Sequence, residues 1–203
     1  MKEQEIDGKL FESVKKGRDY YDHILKDKGF HYFSIELNCA ELVENDIILS
    51  DKKQRIHDLP ESLKVYFFRK LDEQNSDTYK INKKACLYFF EFPKGQEEAI
   101  LKMYKEYIDS NNDRNKSALK KSPHLDTNVL YVGKVKNNVG ARLSTHFGYA
   151  NGKTGGLQLR HWVSKLLTLT VNIIAFDENI GDFINPLELE LTKELKPLIG
   201  KSK

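Results

Sequence analysis

Three short runs dense in aromatic and β-branched residues constrain this chain most: ACLYFFEFP at 85–93, NVLYVGKV at 128–135 and LTLTVNIIAFD at 167–177. Such residues fit a pleated, buried surface, and runs this short bounded by proline, glycine or acidic residues read as strands. Helical patterns lie between and after them. Ile100, Leu101, Tyr104 and Ile108 recur at helical spacing, a helix is expected from about Val139 to Phe147, and GGLQLRHWVSKLL reads as another. In NPLELELTKELKP, Asn185 suits an N-cap, Pro186 the first helical position and Pro197 a stop. This order predicts an α/β (α+β) chain with a small mixed sheet of about three strands flanked by helices.

The first eighty residues read differently. Leu10, Val14, Tyr21, Ile24 and Leu25 follow a helical period, LPESLKVYFFRKLDEQ suggests a second helix, and HYFSIELNCAELVENDIILS is open between short helix and strand. The polar stretch QNSDTYKINKK then reads as a loop. The expected organisation is a mainly helical N-terminal extension over 1–80 and a second unit over 81–203, interrupted by an insertion at about 94–127.

The 203 residues are 39% hydrophobic and 11% aromatic, enough apolar surface to offset the entropy of ordering a chain. No apolar run is long enough to cross a bilayer, and MKEQEIDGKL lacks the apolar centre of a secretory signal, so a soluble cytoplasmic protein is expected. Cys39 and Cys86 show neither zinc nor disulfide spacing and are expected to be reduced and buried.

Net charge is +3, but its distribution is uneven. Residues 1–112 hold nineteen basic and twenty-two acidic residues, whereas 113–165 hold ten basic residues (Arg114, Lys116, Lys120, Lys121, Lys134, Lys136, Arg142, Lys153, Arg160, Lys165) against Asp113 and Asp126, a balance of +8. A merely solvated face mixes both signs. Excluding carboxylates from Asp126 to Asp177 is what a polyanion-binding surface needs.

Read in order, CLYFF, VLYVGKV, GARLSTHF and LELELTKELKP resemble the motifs of the GIY-YIG nuclease superfamily. That family pairs two tyrosine-bearing strands, follows them with a helix carrying an arginine and often a histidine one turn later, and places a metal-binding glutamate on a later helix. On this resemblance Tyr88 matches the first tyrosine, Tyr131 and Gly133 the second motif, Arg142 and His146 the helix, and Glu188 the glutamate. The sequence departs from the pattern at Cys86 and Leu87, at Gly200 and in the long connection between the two strands. Glu190 offers an alternative placement of the glutamate.

The resemblance implies a metal-dependent endonuclease that hydrolyses DNA phosphodiester bonds. Its catalytic residues are then Tyr88, Tyr131, Arg142, His146 and Glu188, with Glu188 holding Mg²⁺ or Mn²⁺. Tyr88 is the expected general base and Tyr131 its partner at water or phosphate. Phenols titrate near pH 10, so a neighbouring cation must favour the phenolate. Arg142 and His146, four apart, are expected to touch one phosphate together. Lys134, Lys136, Lys153 and Arg160 are the expected DNA contacts. The alternatives are a non-catalytic nucleic-acid-binding module on the same fold, or a scaffold presenting its basic face to an acidic protein.

Overall fold

The computed structural model describes residues 12, 14–19, 21–22, 26, 29–43, 81, 83–110, 115–120, 123–149, 155–177, 180, 181 and 183–200. Lys153 and residues 44–80, the second N-terminal helix candidate among them, lie outside the described residues. In chain order come β1 (Phe30–Asn38), the single turn α1 (Ala40–Val43), β2 (Cys86–Glu91), α2 (Glu97–Asp109), β3 (Val129–Val135), α3 (Val139–Phe147), a 3-10 turn (Leu159–His161), β4 (Thr168–Phe176) and α4 (Ile184–Leu195). The result is an α/β fold around one four-stranded sheet in the order β1-β4-β2-β3.

Every pairing in that sheet is antiparallel, so the expectation of a mixed three-stranded sheet is corrected in both respects. The extra strand is β1, the stretch left open between helix and strand. Its alternating burial puts Phe33, Ile35 and Leu37 on the core face, and it pairs with β4 along its whole length, from Phe30↔Phe176 to Asn38↔Thr168. Residues before position 80 are therefore not helical throughout, and they supply a strand to the same sheet as the later motifs. The helical residues among 12–22 remain as expected.

Alternation along the strands separates two cores. Cys86, Tyr88, Phe90, Val171 and Ile173 face the main core with residues of α2 and α3, while Leu87, Phe176 and Ile174 meet Ile184, Leu187 and Leu191 of α4 on the other face. Both cysteines are free and buried, and burial pushes each thiol up to about 12. Among the described residues no helix is long and apolar enough to cross a membrane.

Two local expectations need correction. GGLQLRHWVSKLL is not a helix beyond the 3-10 turn. Gln158 enters it in the left-handed region (φ 58°), and Ser164 closes a turn into β4 through its carbonyl (Leu167 N–H, 3.1 Å) and its hydroxyl (Leu166 N–H, 3.2 Å). Helix α4 begins at Ile184 with Phe183 as N-cap, so Pro186 is its third residue. A proline is tolerated there because the first four helical N–H groups have no intrahelical partner.

Candidate functional site

The two tyrosine strands are neighbours. Tyr88 pairs with Gly133 and Phe90 with Tyr131 across β2 and β3. Gly133 is required by this arrangement, since a Cβ there would lie 2.5 Å from the Tyr88 hydroxyl oxygen and 2.8 Å from Tyr131 Cε1. The glycine of YVG thus gives the first tyrosine room to lie over the second strand, and the two rings stack at 6.5 Å.

Helix α3 is placed by its ends. The Asn138 side chain accepts from the Ala141 N–H at its start, and Gly148 (φ 95°) caps its end by donating to Ser144 and Thr145 carbonyls. Arg142 and His146 consequently share the face over the tyrosines. Arg142 Nε donates to Tyr88 Oη at 3.0 Å, and its Nη1 donates to the Gly155 carbonyl at 2.9 Å. His146 Nε2 lies 2.9 Å from the same phenol oxygen.

The histidine's protonation follows from its other nitrogen. The Leu157 N–H points at Nδ1 (3.2 Å), and a backbone N–H can only donate, so Nδ1 is unprotonated. Complete burial, helped by the charge of Arg142, holds His146 well below the ordinary histidine range and keeps the ring neutral. The proton is then on Nε2 and is donated to Tyr88. The phenol oxygen of Tyr88 receives two hydrogen bonds, one from a cation.

That geometry corrects a sequence expectation. His146 is 0% exposed, enclosed by the rings of Tyr88, Phe90 and Tyr131, and cannot touch a phosphate alongside Arg142. Tyr88 is also 0% exposed. Burial pushes its phenol far above the ordinary range, Arg142 offsetting only part of this. A water cannot reach the hydroxyl expected to deprotonate it.

Above this buried cluster lies a cleft of about 380 Å³ along the edge strand β3. Tyr131, Lys134, Arg142 and Glu188 all line it. Burial raises the Tyr131 phenol and Glu188 raises it further, while Arg142 opposes both. Lys134 forms an ion pair with Glu188, both side chains largely buried. Glu190 lies outside the cleft, paired with Lys193 at 2.6 Å and well exposed.

Lys136 is exposed and Arg160 stacks its guanidinium over the Tyr149 ring at 5.3 Å; neither lines the cleft. Lys116 and Lys120 do line it, though sequence alone marked them only as members of the basic stretch 113–165. The backbone of Gly155 and Leu157, which fixes Arg142 and His146, carries no signal in the side-chain sequence.

Among the described residues, four cations and one carboxylate line the cleft (Lys116, Lys120, Lys134, Arg142 against Glu188). Among the described residues no group of three His, Cys, Asp or Glu side chains converges. A single carboxylate beside a cationic cleft does fit an ion of the magnesium kind, which keeps waters and takes further oxygens from a substrate phosphate. No protein-family model, curated protein or solved structure matches the chain.

Proposed function

We propose that the chain is a metal-dependent endonuclease of GIY-YIG type that hydrolyses phosphodiester bonds in DNA. The observation that carries this reading is the convergence of Tyr131, Arg142 and Glu188 on one cationic cleft, with Tyr88 and His146 directly beneath. Anionic substrate is drawn by the excess of positive charge. Arg142 has five N–H groups, and those not used on Tyr88, Tyr131 and Gly155 are available to the phosphoryl oxygens.

Tyr131, on the cleft wall beside Arg142, is the hydroxyl positioned to meet the attacking water, and Tyr88 is the positioning residue that fixes Arg142 Nε. This exchanges the roles expected from the motif order. Glu188 would hold the divalent ion, which when bound stabilises charge on the phosphoryl and leaving oxygens. Lys134 must release Glu188 for that to happen, and an arriving phosphate is its natural replacement partner.

The same ion pair favours a second reading, because Glu188 is already satisfied without metal. In that reading the cleft binds nucleic acid and cuts nothing. Nicking of supercoiled DNA with Mg²⁺ or Mn²⁺ separates the two. Metal-dependent nicks abolished by Glu188→Gln support the nuclease. Salt-dependent binding without any cleavage by the wild-type protein selects the binding module.

A further inference from the structure

The excursion between β2 and β3 returns through residues 115–120, and this segment is fastened into both walls of the cleft. Lys116 bridges Gly156 in parallel register, and Leu119 bridges Ile199 in antiparallel register. The Gly200 N–H donates to the Ala118 carbonyl (2.9 Å), while Tyr104 of α2 donates to the Ser117 carbonyl (2.7 Å). The segment thus joins the loop that holds Arg142 to the chain that follows α4.

Its two lysines are in opposite situations. Lys116 Nζ donates to the carbonyls of Ile108 and Ser110, each at 2.9 Å, and sits 5.0 Å over the Tyr107 ring, which closes the C-terminal end of α2. Its charge is committed to the fold. Lys120 lines the same cleft, is partly buried, and has no hydrogen-bond or ion-pair partner among the described residues. Burial pulls its ammonium below the ordinary lysine range, with no carboxylate opposing the effect. Withdrawing an ammonium from water without a partner is unfavourable, so the fold gains nothing from this charge.

Lys134 is balanced by Glu188 and Arg142 is held by two phenols and a carbonyl, which leaves Lys120 as the cleft cation without a protein counterpart among the described residues. We propose that Lys120 binds a phosphate of the substrate backbone beside the reacting one, making residues 115–120 of the excursion a working wall of the site. The inference rests on the nucleic-acid reading above.

The test is a binding titration of a fluorescent DNA duplex over a range of salt concentrations, with Ca²⁺ replacing Mg²⁺ to prevent cutting. Wild type, Lys120→Ala, Lys120→Arg and Lys102→Ala are compared, Lys102 being an exposed residue of α2 away from the cleft. Loss of one phosphate contact should weaken binding about tenfold and reduce the log–log salt slope by about 0.9, with Lys120→Arg restoring both. Lys102→Ala should match wild type. Because Lys120 has no partner among the described residues, Lys120→Ala should also leave the Tm unchanged or raise it.

Salt-dependent binding by wild type with an unaltered slope for Lys120→Ala overturns this inference and leaves the nucleic-acid reading standing. An equal effect of Lys102→Ala, or a large drop in Tm for Lys120→Ala, overturns it as well. No salt-dependent binding by wild type overturns the nucleic-acid reading and this inference with it.

Discussion

His146 shows how far spacing alone can carry an argument. Residues four apart on a helix share a face, so its company with Arg142 was legible, but spacing does not say how deep that face lies. Arginine is long enough to reach the cleft from a position over the core, whereas the imidazole ends inside it. The buried, neutral ring gives a signed prediction. Its folded-state pKa is depressed below about 6.5, so its stability contribution is complete above that pH and is lost as the unfolded chain gains a proton that the native ring refuses. Denaturant midpoints should fall as pH drops below about 6.5, by at most about 1.4 kcal/mol per pH unit from this group, and the effect should be absent in His146→Gln. The tyrosines separate in the same way. Tyr131→Phe should lower the cleavage rate about 10²–10⁴-fold with DNA binding retained, as for loss of a group acting on the proton. Tyr88→Phe should cost less and act through Arg142; equal losses for both would return the chemistry to Tyr88. Gly133→Ala should disable the site more than either, since its methyl would displace the Tyr88 hydroxyl from between Arg142 and His146.

At the level of elements, the strands and helices with a single strong period were legible and the segments with competing signals were not. The strands around Tyr88 and Tyr131 and the helix carrying Arg142 fall where their patterns put them. The apolar residues of GGLQLRHWVSKLL look helical, yet Leu157, Leu159 and Val163 are buried by an irregular path whose left-handed Gln158 no local rule predicts. Helix α4 decides between its two glutamates by rotation. Glu188 lies beyond the first turn, where the helix dipole is a weak explanation, and turns toward Lys134 in the cleft, while Glu190 turns outward to Lys193. Glu188→Gln should abolish metal-dependent nicking, and it should tighten DNA binding because Lys134 is freed for phosphate. Glu190→Gln should behave as wild type in both assays. Full cleavage by the Glu188 variant would remove the metal assignment.

For the molecule as a whole, the basic stretch 113–165 of the sequence becomes a place. Residues far apart in it, Lys120, Lys134 and Arg142, reach the same cleft, while Lys136 and Arg160 lie outside it. The charge imbalance was therefore legible, but not its division into groups aimed at the cleft and groups used elsewhere, which depends on three-dimensional register. Arg160→Ala tests this division. It should cost about 0.5–1 kcal/mol of stability through the lost stacking on Tyr149 and change the salt slope of DNA binding little. A flattened slope with stability unchanged would instead place Arg160 on the nucleic acid.

The pairing of β1 with β4 has a consequence in time. His31 and Asp177, which meet at 3.0 Å at one end of this pair, are 146 positions apart, so the ribosome releases β1 long before the strand that receives it exists. At typical elongation rates of about 5–20 residues per second the wait is roughly 7–30 s. During that interval the first strand of the sheet, with Phe33, Ile35 and Leu37 meant for the core, has no partner in β4. Nascent chains halted before residue 168 should accordingly be open to protease at β1 and become resistant once β4 has emerged, with the last fifth of translation setting when the sheet can close.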